Sequence, residues 1–283
     1  MLRMRFTLRV LTFSLLVGSC SCRRAVFLVG DSTSQRLYKA GLAPLCAGQS
    51  DPLVKKNFEH NGCRDPLNES SCMYNDHGLL CSKSSPFIRL GYTIHWGVHD
   101  QPYHKGWVTH RSLNDTTNSS VNIALAIQEF QRRSQQEGSA VFFFLSNLWD
   151  VKRYEDHFFA SQAPLTFAKK YRESLVATAS AIQLQMRPSD TLVLCTCHLP
   201  APPLTSFVHI INEEVRSIAK HHNIPLFDES QILGENCTRS YLKDRIHQTV
   251  NASALLAAVI ANIVNSSLNV SEQNVVWRSP VVR

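Results

Sequence analysis

The segment from Ala140 to Leu145 reads AVFFFL, and a run so short and so uniformly apolar has few places in a fold. It is far too short to cross a bilayer. A strand with one face in water alternates polar with apolar residues, so this one is covered on both faces, as strands of a parallel sheet are. The rest of the chain repeats the theme. Ala25 to Val29 is a second buried strand that runs directly into a helix over Thr33 to Leu42, and Phe87 to Val98, Thr191 to Cys195 and Ile224 to Phe227 are three more strands. Val121 to Arg133, Pro164 to Met186 and Phe207 to His222 have helical periodicity, and Asn251 to Val264 closes the pattern as an apolar helix. Strands separated by helix-length crossovers return to the same sheet, which predicts an α/β fold: a three-layer α/β/α sandwich on a five-stranded parallel sheet. Ligands in such sheets bind beyond the carboxyl ends of the strands, where Gly30-Asp31-Ser32, Ser146-Asn147 and Asp244 to His247 fall.

At 283 residues with 44% hydrophobic content, the chain has the length of one α/β domain carrying an insertion. Residues 1–22 have the parts of a secretory signal: arginines at the start, an apolar run from Val10 to Val17, and small residues around Gly18-Ser19-Cys20. The apolar run is short against a bilayer core of about 30 Å, so cleavage is expected and no stable membrane span. The net charge of +7 becomes +4 when Arg3, Arg5 and Arg9 leave with that segment, too little for a nucleic-acid partner. Seven Asn-x-Ser/Thr sequons, at Asn68, Asn114, Asn118, Asn236, Asn251, Asn265 and Asn269, fit a chain that is secreted or held in the ER or Golgi lumen. Nine cysteines agree with that oxidising compartment. Four of them, Cys46, Cys63, Cys72 and Cys81, lie in the stretch from Cys46 to Pro86, which lacks periodicity and reads as a loop-rich insertion closed by disulfides. Residues 23–283 are otherwise expected to form a single domain.

Ser32 stands where the first strand ends and the first helix begins, so helix-terminal N–H groups surround its hydroxyl and favour negative charge developing there. That suits a nucleophile, although Gly-Asp-Ser alone equally marks an ordinary helix cap. Asp244 and His247 are three residues apart, which puts both on one face of a helical turn, where the carboxylate can orient the imidazole as a general base. Alone, Asp-x-x-His is more often a surface ion pair; combined with Ser32 across the α/β alternation, it points to acyl transfer. Asp228, closing Ile-Pro-Leu-Phe, is a rival acid without local geometry to His247. His95, His99, His104 and His110 have no carboxylate or thiol spacing that supports a metal and are read as rim or surface residues. Cys195 and Cys197 share one face of a strand and cannot easily bridge each other, which leaves disulfides to loop cysteines or buried thiols.

VFLVGDSTSQRLY near the mature start and YLKDRIH before the last helix resemble the first and last sequence blocks of the SGNH/GDSL hydrolases. The resemblance spans nearly the whole mature chain in order, with these two blocks sharp. It implies the flavodoxin-like three-layer fold and, matched by position, a triad of Ser32, Asp244 and His247. It further implies an oxyanion hole made by the Ser32 N–H, a glycine N–H and an asparagine side chain. Asn147 in FFFLSNLWD matches the asparagine, although Ser146 and Leu148 flank it where the family has Gly-x-Asn-Asp; a strand-end asparagine capping local backbone is the other reading. Gly91 and Gly97 both fit the glycine, with Gly97 preferred. Gly-Asp-Ser followed by Arg36, with Leu-Trp-Asp after the third apolar strand, is similar to the lumenal PC-esterase, trichome-birefringence-like and sialate O-acetyltransferase proteins, while Gln248 after His247 departs from the plant group's Asp-Cys-x-His-Trp ending.

The resemblance therefore implies a serine ester hydrolase or O-acyltransferase acting on a short acyl group, acetyl on a carbohydrate by preference, with an acylated carbohydrate or other ester as its partner. The chemistry requires no metal and no organic cofactor. A non-catalytic, glycan-binding protein that keeps the cleft and a lipid esterase are the alternatives.

Overall fold

β4 (Ala140–Leu145) lies inside the sheet, paired in parallel with β1 (Arg24–Gly30) on one side and β5 (Thr191–Cys195) on the other, and every one of its residues is buried. The structure is a computed structural model and describes residues 23–47, 76–95, 97–98, 119–134, 138–145, 148, 150, 164–198, 205–234 and 248–265. β3 (Phe87–Ile94) pairs in parallel with β1, and β6 (Leu226–Phe227) with β5. β2 (Asp76–Leu80) pairs antiparallel with β3 at the edge, giving the order β2-β3-β1-β4-β5-β6. Among the parallel strands, the chain-order sequence is 2-1-3-4-5, the flavodoxin-like arrangement.

The five parallel strands match the expectation, and the antiparallel sixth corrects it. β2 falls in the stretch read as loop. Its sequence, DHGLL, carries no β-branched or aromatic residue, so its strand state comes from pairing with β3 rather than from its own preference. Directly after it, Cys81 forms a disulfide with Cys46, which closes the insertion as expected; Cys63 and Cys72 lie outside the described residues.

Alternation along each strand decides which layer each side chain joins. Phe27, Val29, Phe142, Phe144, Leu192 and Leu194 face one side, where α3 (Ser119–Arg133), α4 (Pro164–Gln185) and α5 (Thr205–His221) pack on them. Phe27 meets Phe130 of α3 with ring centroids 4.7 Å apart, and burying each such ring contributes roughly 1.5–3 kcal/mol. Val26, Leu28, Val141, Phe143 and Val193 face the other side. There they meet the helix that begins at Ser32, made of α1 (Ser32–Arg36), a π-wound stretch over Leu37–Leu42 and α2 (Ala43–Ala47), together with α6 (Glu229–Leu233) and α7 (Val250–Asn265). A Cβ on Gly41 would lie 2.4 Å from the Ser253 carbonyl oxygen, so the π-wound stretch and α7 touch backbone to side-chain-free backbone. Among the described residues no helix is long and apolar enough to cross a membrane.

Two further boundaries shift. β3, expected over Phe87 to Val98, stops at Ile94, and the last strand reduces to Leu226–Phe227, because Pro225 before it has no N–H to give a ladder. Cys195 and Cys197 are buried thiols, and burial pushes both well above the ordinary cysteine range, which disfavours the reactive thiolate.

Candidate active site

The chain turns sharply from β1 into α1 through Gly30, Asp31 and Ser32, and neighbouring strands hold this turn from two sides. Asp31 caps α1, its Oδ1 accepting from Thr33 N at 2.9 Å and from Thr33 Oγ1 at 2.6 Å. On the β3 side, the Gly30 carbonyl accepts from His95 N at 2.8 Å, and the Tyr92 hydroxyl lies 2.9 Å from both the Gly30 and the Asp31 carbonyl oxygens. On the β4 side, Ser34 Oγ donates to the Leu145 carbonyl at 3.1 Å. Glycine is required at position 30, since a Cβ there would lie 2.1 Å from Ser34 Oγ. Ser32 is thereby the first helical residue after a strand whose two neighbours, β3 and β4, leave the sheet centre in opposite directions. That is the topological switch point, where open α/β sheets bind ligands.

Just past β3, Gly97 has φ of 94°, the left-handed region, and its missing side chain makes room for Asp150, whose Oδ1 would stand 2.6 Å from a Cβ. Asp150 Oδ2 accepts from Val98 N at 3.0 Å. The fully buried aspartate of Leu-Trp-Asp, following β4, thus grips the loop following β3 across the carboxyl end of β1. Gly91, the other glycine considered, is a packing residue in mid-strand, where a Cβ would press on Phe27 and Phe130 at 2.6 and 2.8 Å.

Beyond β5 and β6 lies a second set of buried polar groups. Asp228 caps α6 and accepts from Gln231 N, Ser230 Oγ, Thr196 Oγ1 and the Arg216 guanidinium. Burial alone would raise the Asp228 carboxyl, but the bonds from Arg216, Ser230 and Thr196 together with the Arg216 charge outweigh it and hold the group below its ordinary value. Asp31 is the reverse case: burial raises it, and the Thr33 bonds and the His198 charge do not cancel the effect. Next to Asp228, Glu229 Oε1 accepts from Gln248 Nε2 at 2.6 Å and faces His198 Nδ1 at 2.9 Å. His198 is 2% exposed, Glu229 2% and Gln248 1%.

Of the residues expected to act, the structure brings the Ser32 backbone and Gly97 to adjacent strand ends. The Ser32 side chain, Asn147, Asp244 and His247 lie outside the described parts of the chain. His95 is buried rather than at a rim or surface: its backbone serves the Gly30 carbonyl and its ring packs 5.5 Å from Phe144, a position available because the strand ends one residue earlier. His198, Glu229 and Gln248 belong to no motif, and Leu-Trp-Asp gave no sign that its Asp150 would grip the loop after β3. The signal they did leave was position, each polar group falling within a few residues of the end of an apolar strand or the start of the last helix.

No family model matches the chain, and no curated protein matches its sequence. Several solved structures are similar in overall architecture. A member of the lipolytic G-D-S-L family from Veillonella parvula superposes with a TM-score of 0.46 at 12% identity, over 85% of this chain and 97% of its own. A carbohydrate acetylesterase from Sinorhizobium meliloti gives 0.45 at 14% identity over 86% and 98%. An acetylxylan esterase from Geobacillus stearothermophilus gives 0.43 at 13% over 87% and 96%.

Proposed function

We propose that this chain is a serine ester hydrolase of the SGNH/GDSL type, with Ser32 as nucleophile, His247 as general base and Asp244 as the acid that orients it. The observation that carries the reading is the Gly30-Asp31-Ser32 turn, fixed by β3 and β4 at the switch point of a flavodoxin-order sheet. The engagement of Asp228 supports it from the other side, because a carboxylate neutralised by Arg216 is a poor rival for the orienting role.

In the reaction, His247 takes the hydroxyl proton as Ser32 Oγ attacks the ester carbonyl, a step in which a positioned base contributes about 10²–10⁴ in rate. The negative charge that forms on the carbonyl oxygen is met by the Ser32 N–H, the Gly97 N–H and the Asn147 side chain. As the intermediate collapses, the C–O bond to the leaving alcohol breaks, and that alcohol takes the proton from His247. Water, deprotonated by the same imidazole, then attacks the acyl-enzyme and frees the acid and Ser32. A sugar hydroxyl in place of water makes the same residues a transferase.

The substrate class is a short acyl ester, acetyl on a carbohydrate, met by a chain of residues 23–283 released from its signal into a secretory lumen or outside the cell. The sequons and the Cys46–Cys81 disulfide support that compartment. A fluorophosphonate probe tests the mechanism: wild type takes the label and Ser32→Ala does not. Absence of label on both proteins, with retained binding to an acetylated glycan, would leave a binding protein instead. Hydrolysis of acetylated glycans, compared with long-chain acyl esters, tests the substrate class.

A further inference from the structure

His198, Glu229 and Gln248 come from three different elements and converge in a site closed to water. His198 lies three residues past the end of β5, Glu229 opens α6, and Gln248 comes two residues before the first residue of α7. The geometry is closed on one oxygen: Glu229 Oε1 lies 2.6 Å from Gln248 Nε2 and 2.9 Å from His198 Nδ1, with Gln248 Nε2 3.3 Å from the same ring nitrogen. When Nδ1 carries its proton, that oxygen accepts from both. Burying a carboxylate and an imidazole is expensive, and apolar side chains of similar volume would seal a sheet end at lower cost. The cluster therefore needs a reason beyond stability.

Its location supplies one. Gln248 is covalently joined to His247, so a side-chain bond that fixes Gln248 also fixes one end of the peptide carrying the proposed base. The same stretch is pinned a second time, through α7: the Ser253 carbonyl packs against Gly41, in the helix that starts at Ser32. His198 in turn bears electrostatically on Asp31, the residue before the proposed nucleophile. One buried cluster and one helix contact thus tie the two ends of the chain that supply Ser32 and His247.

We infer that Glu229, Gln248 and His198 are positioning residues for the ester hydrolysis proposed above, and that the Glu229–Gln248 bond sets the approach of His247 to Ser32. The inference rests on that proposed reading. None of the three touches substrate; they act through His247. Misplacing a catalytic group by about 1 Å costs on the order of 10²-fold in rate.

The test uses the mature chain, p-nitrophenyl acetate and a fluorophosphonate probe. Gln248→Met keeps the side-chain length, deletes the donor and leaves Glu229 paired with His198. It is expected to lower kcat, and the labelling rate of Ser32, by about 10²-fold, with KM moving less than about threefold and the thermal transition still cooperative. Gln248→Glu sets two buried carboxylates against each other, and adding Glu229→Gln restores a carboxylate–amide pair with the partners exchanged. That double variant should recover most of the kcat lost in Gln248→Glu. Wild type that neither labels nor hydrolyses overturns the esterase reading, and this inference with it. An active wild type whose Gln248→Met variant is folded and turns over within twofold of it overturns this inference alone. So does a folded double variant that recovers its thermal transition without recovering kcat, since a structural prop would behave that way.

Discussion

Two aspartates close two parallel strands in the same manner and are treated in opposite ways. Asp31 follows β1 and Asp228 follows β6, both are buried, and each caps the helix that comes next, accepting from Thr33 N and Gln231 N respectively. Asp228 also receives a guanidinium and two hydroxyls, and its carboxyl is held low. Asp31 has Thr33 alone as its hydrogen-bonding side chain among the described residues, and burial holds its carboxyl high. The β6 turn is thus built as a stability element. The β1 turn keeps an uncompensated cost, needs glycine at position 30 and is bound to both neighbouring strands, features that accumulate where a fold holds a reactive group in place.

The contrast breaks most sharply on activity. If Asp244 orients His247, Asp244→Asn lowers kcat on an acetyl ester by a factor on the order of 10⁴ and leaves the unfolding transition nearly unmoved. Asp228→Asn should do the converse, with turnover kept within a few-fold and stability lost. Near-normal turnover in Asp244→Asn together with collapse of activity in Asp228→Asn would move the triad acid to the end of β6 and erase the distinction between the turns.

The stability half of that pair is the next largest effect. Asp228→Asn removes the buried charge on which the bonds from Arg216, Ser230 and Thr196 converge, while Arg216 keeps Glu213, and is expected to cost about 2–3 kcal/mol in chemical denaturation. Arg216 is partly open to water and can rehydrate, so Arg216→Met, which instead strands the buried carboxylate, should cost at least as much. A loss below about 1 kcal/mol in both would mean that the β6 turn is no better compensated than the β1 turn.

Smaller again is Gly30→Ala. The added methyl meets Ser34 Oγ at 2.1 Å and Ser34 Cβ at 2.5 Å, and forced overpacking of this kind costs about 1–3 kcal/mol. Gly30→Ala with Ser34→Gly should recover part of the loss. Phe227, at the matching place before Asp228, already carries a full side chain in the core. If Gly30→Ala proves neutral, the β1 turn is looser than its contacts imply.

These turns also mark where the sequence was readable. AVFFFL and the other apolar runs exposed the parallel strands because residues buried on both faces cannot alternate, and the layer order followed from the crossovers. The strand-to-helix turn at Gly30-Asp31-Ser32 was visible for a similar reason, since a polar triplet between an apolar strand and a helix is a local signal. β2 was not, because DHGLL becomes a strand only through β3 and the Cys46–Cys81 link. Nor were His198, Glu229 and Gln248, the outer two of which stand 50 positions apart in the chain. Asp228 was visible as a strand-end carboxylate, but only its contact with Arg216, on the helix before it, reveals that its charge is already used.

The smallest effect is the most direct test of how differently the two aspartates are held. The folded-state pKa of Asp31 is raised, so the folded chain keeps that proton to higher pH than the unfolded chain does. Its contribution to stability is therefore full below the ordinary aspartate value of about 3.9 and declines as pH rises through the raised one. For Asp228, whose value is lowered, the contribution is full above about 3.9 and is lost as pH falls through the lowered value. An asparagine side chain cannot titrate at either position. Thermal melts across the acid range should show the Tm of Asp31→Asn gaining on wild type as pH rises above about 4, by a few °C, while the deficit of Asp228→Asn shrinks as pH falls below about 4. In Asp31→Asn the amide oxygen would still accept from Thr33 N and Thr33 Oγ1, so the helix cap survives the substitution and the pH slope is read cleanly. Parallel slopes for the two variants would show that both carboxylates sit in equivalent surroundings, and the β1 turn would then carry no cost that needs a functional explanation.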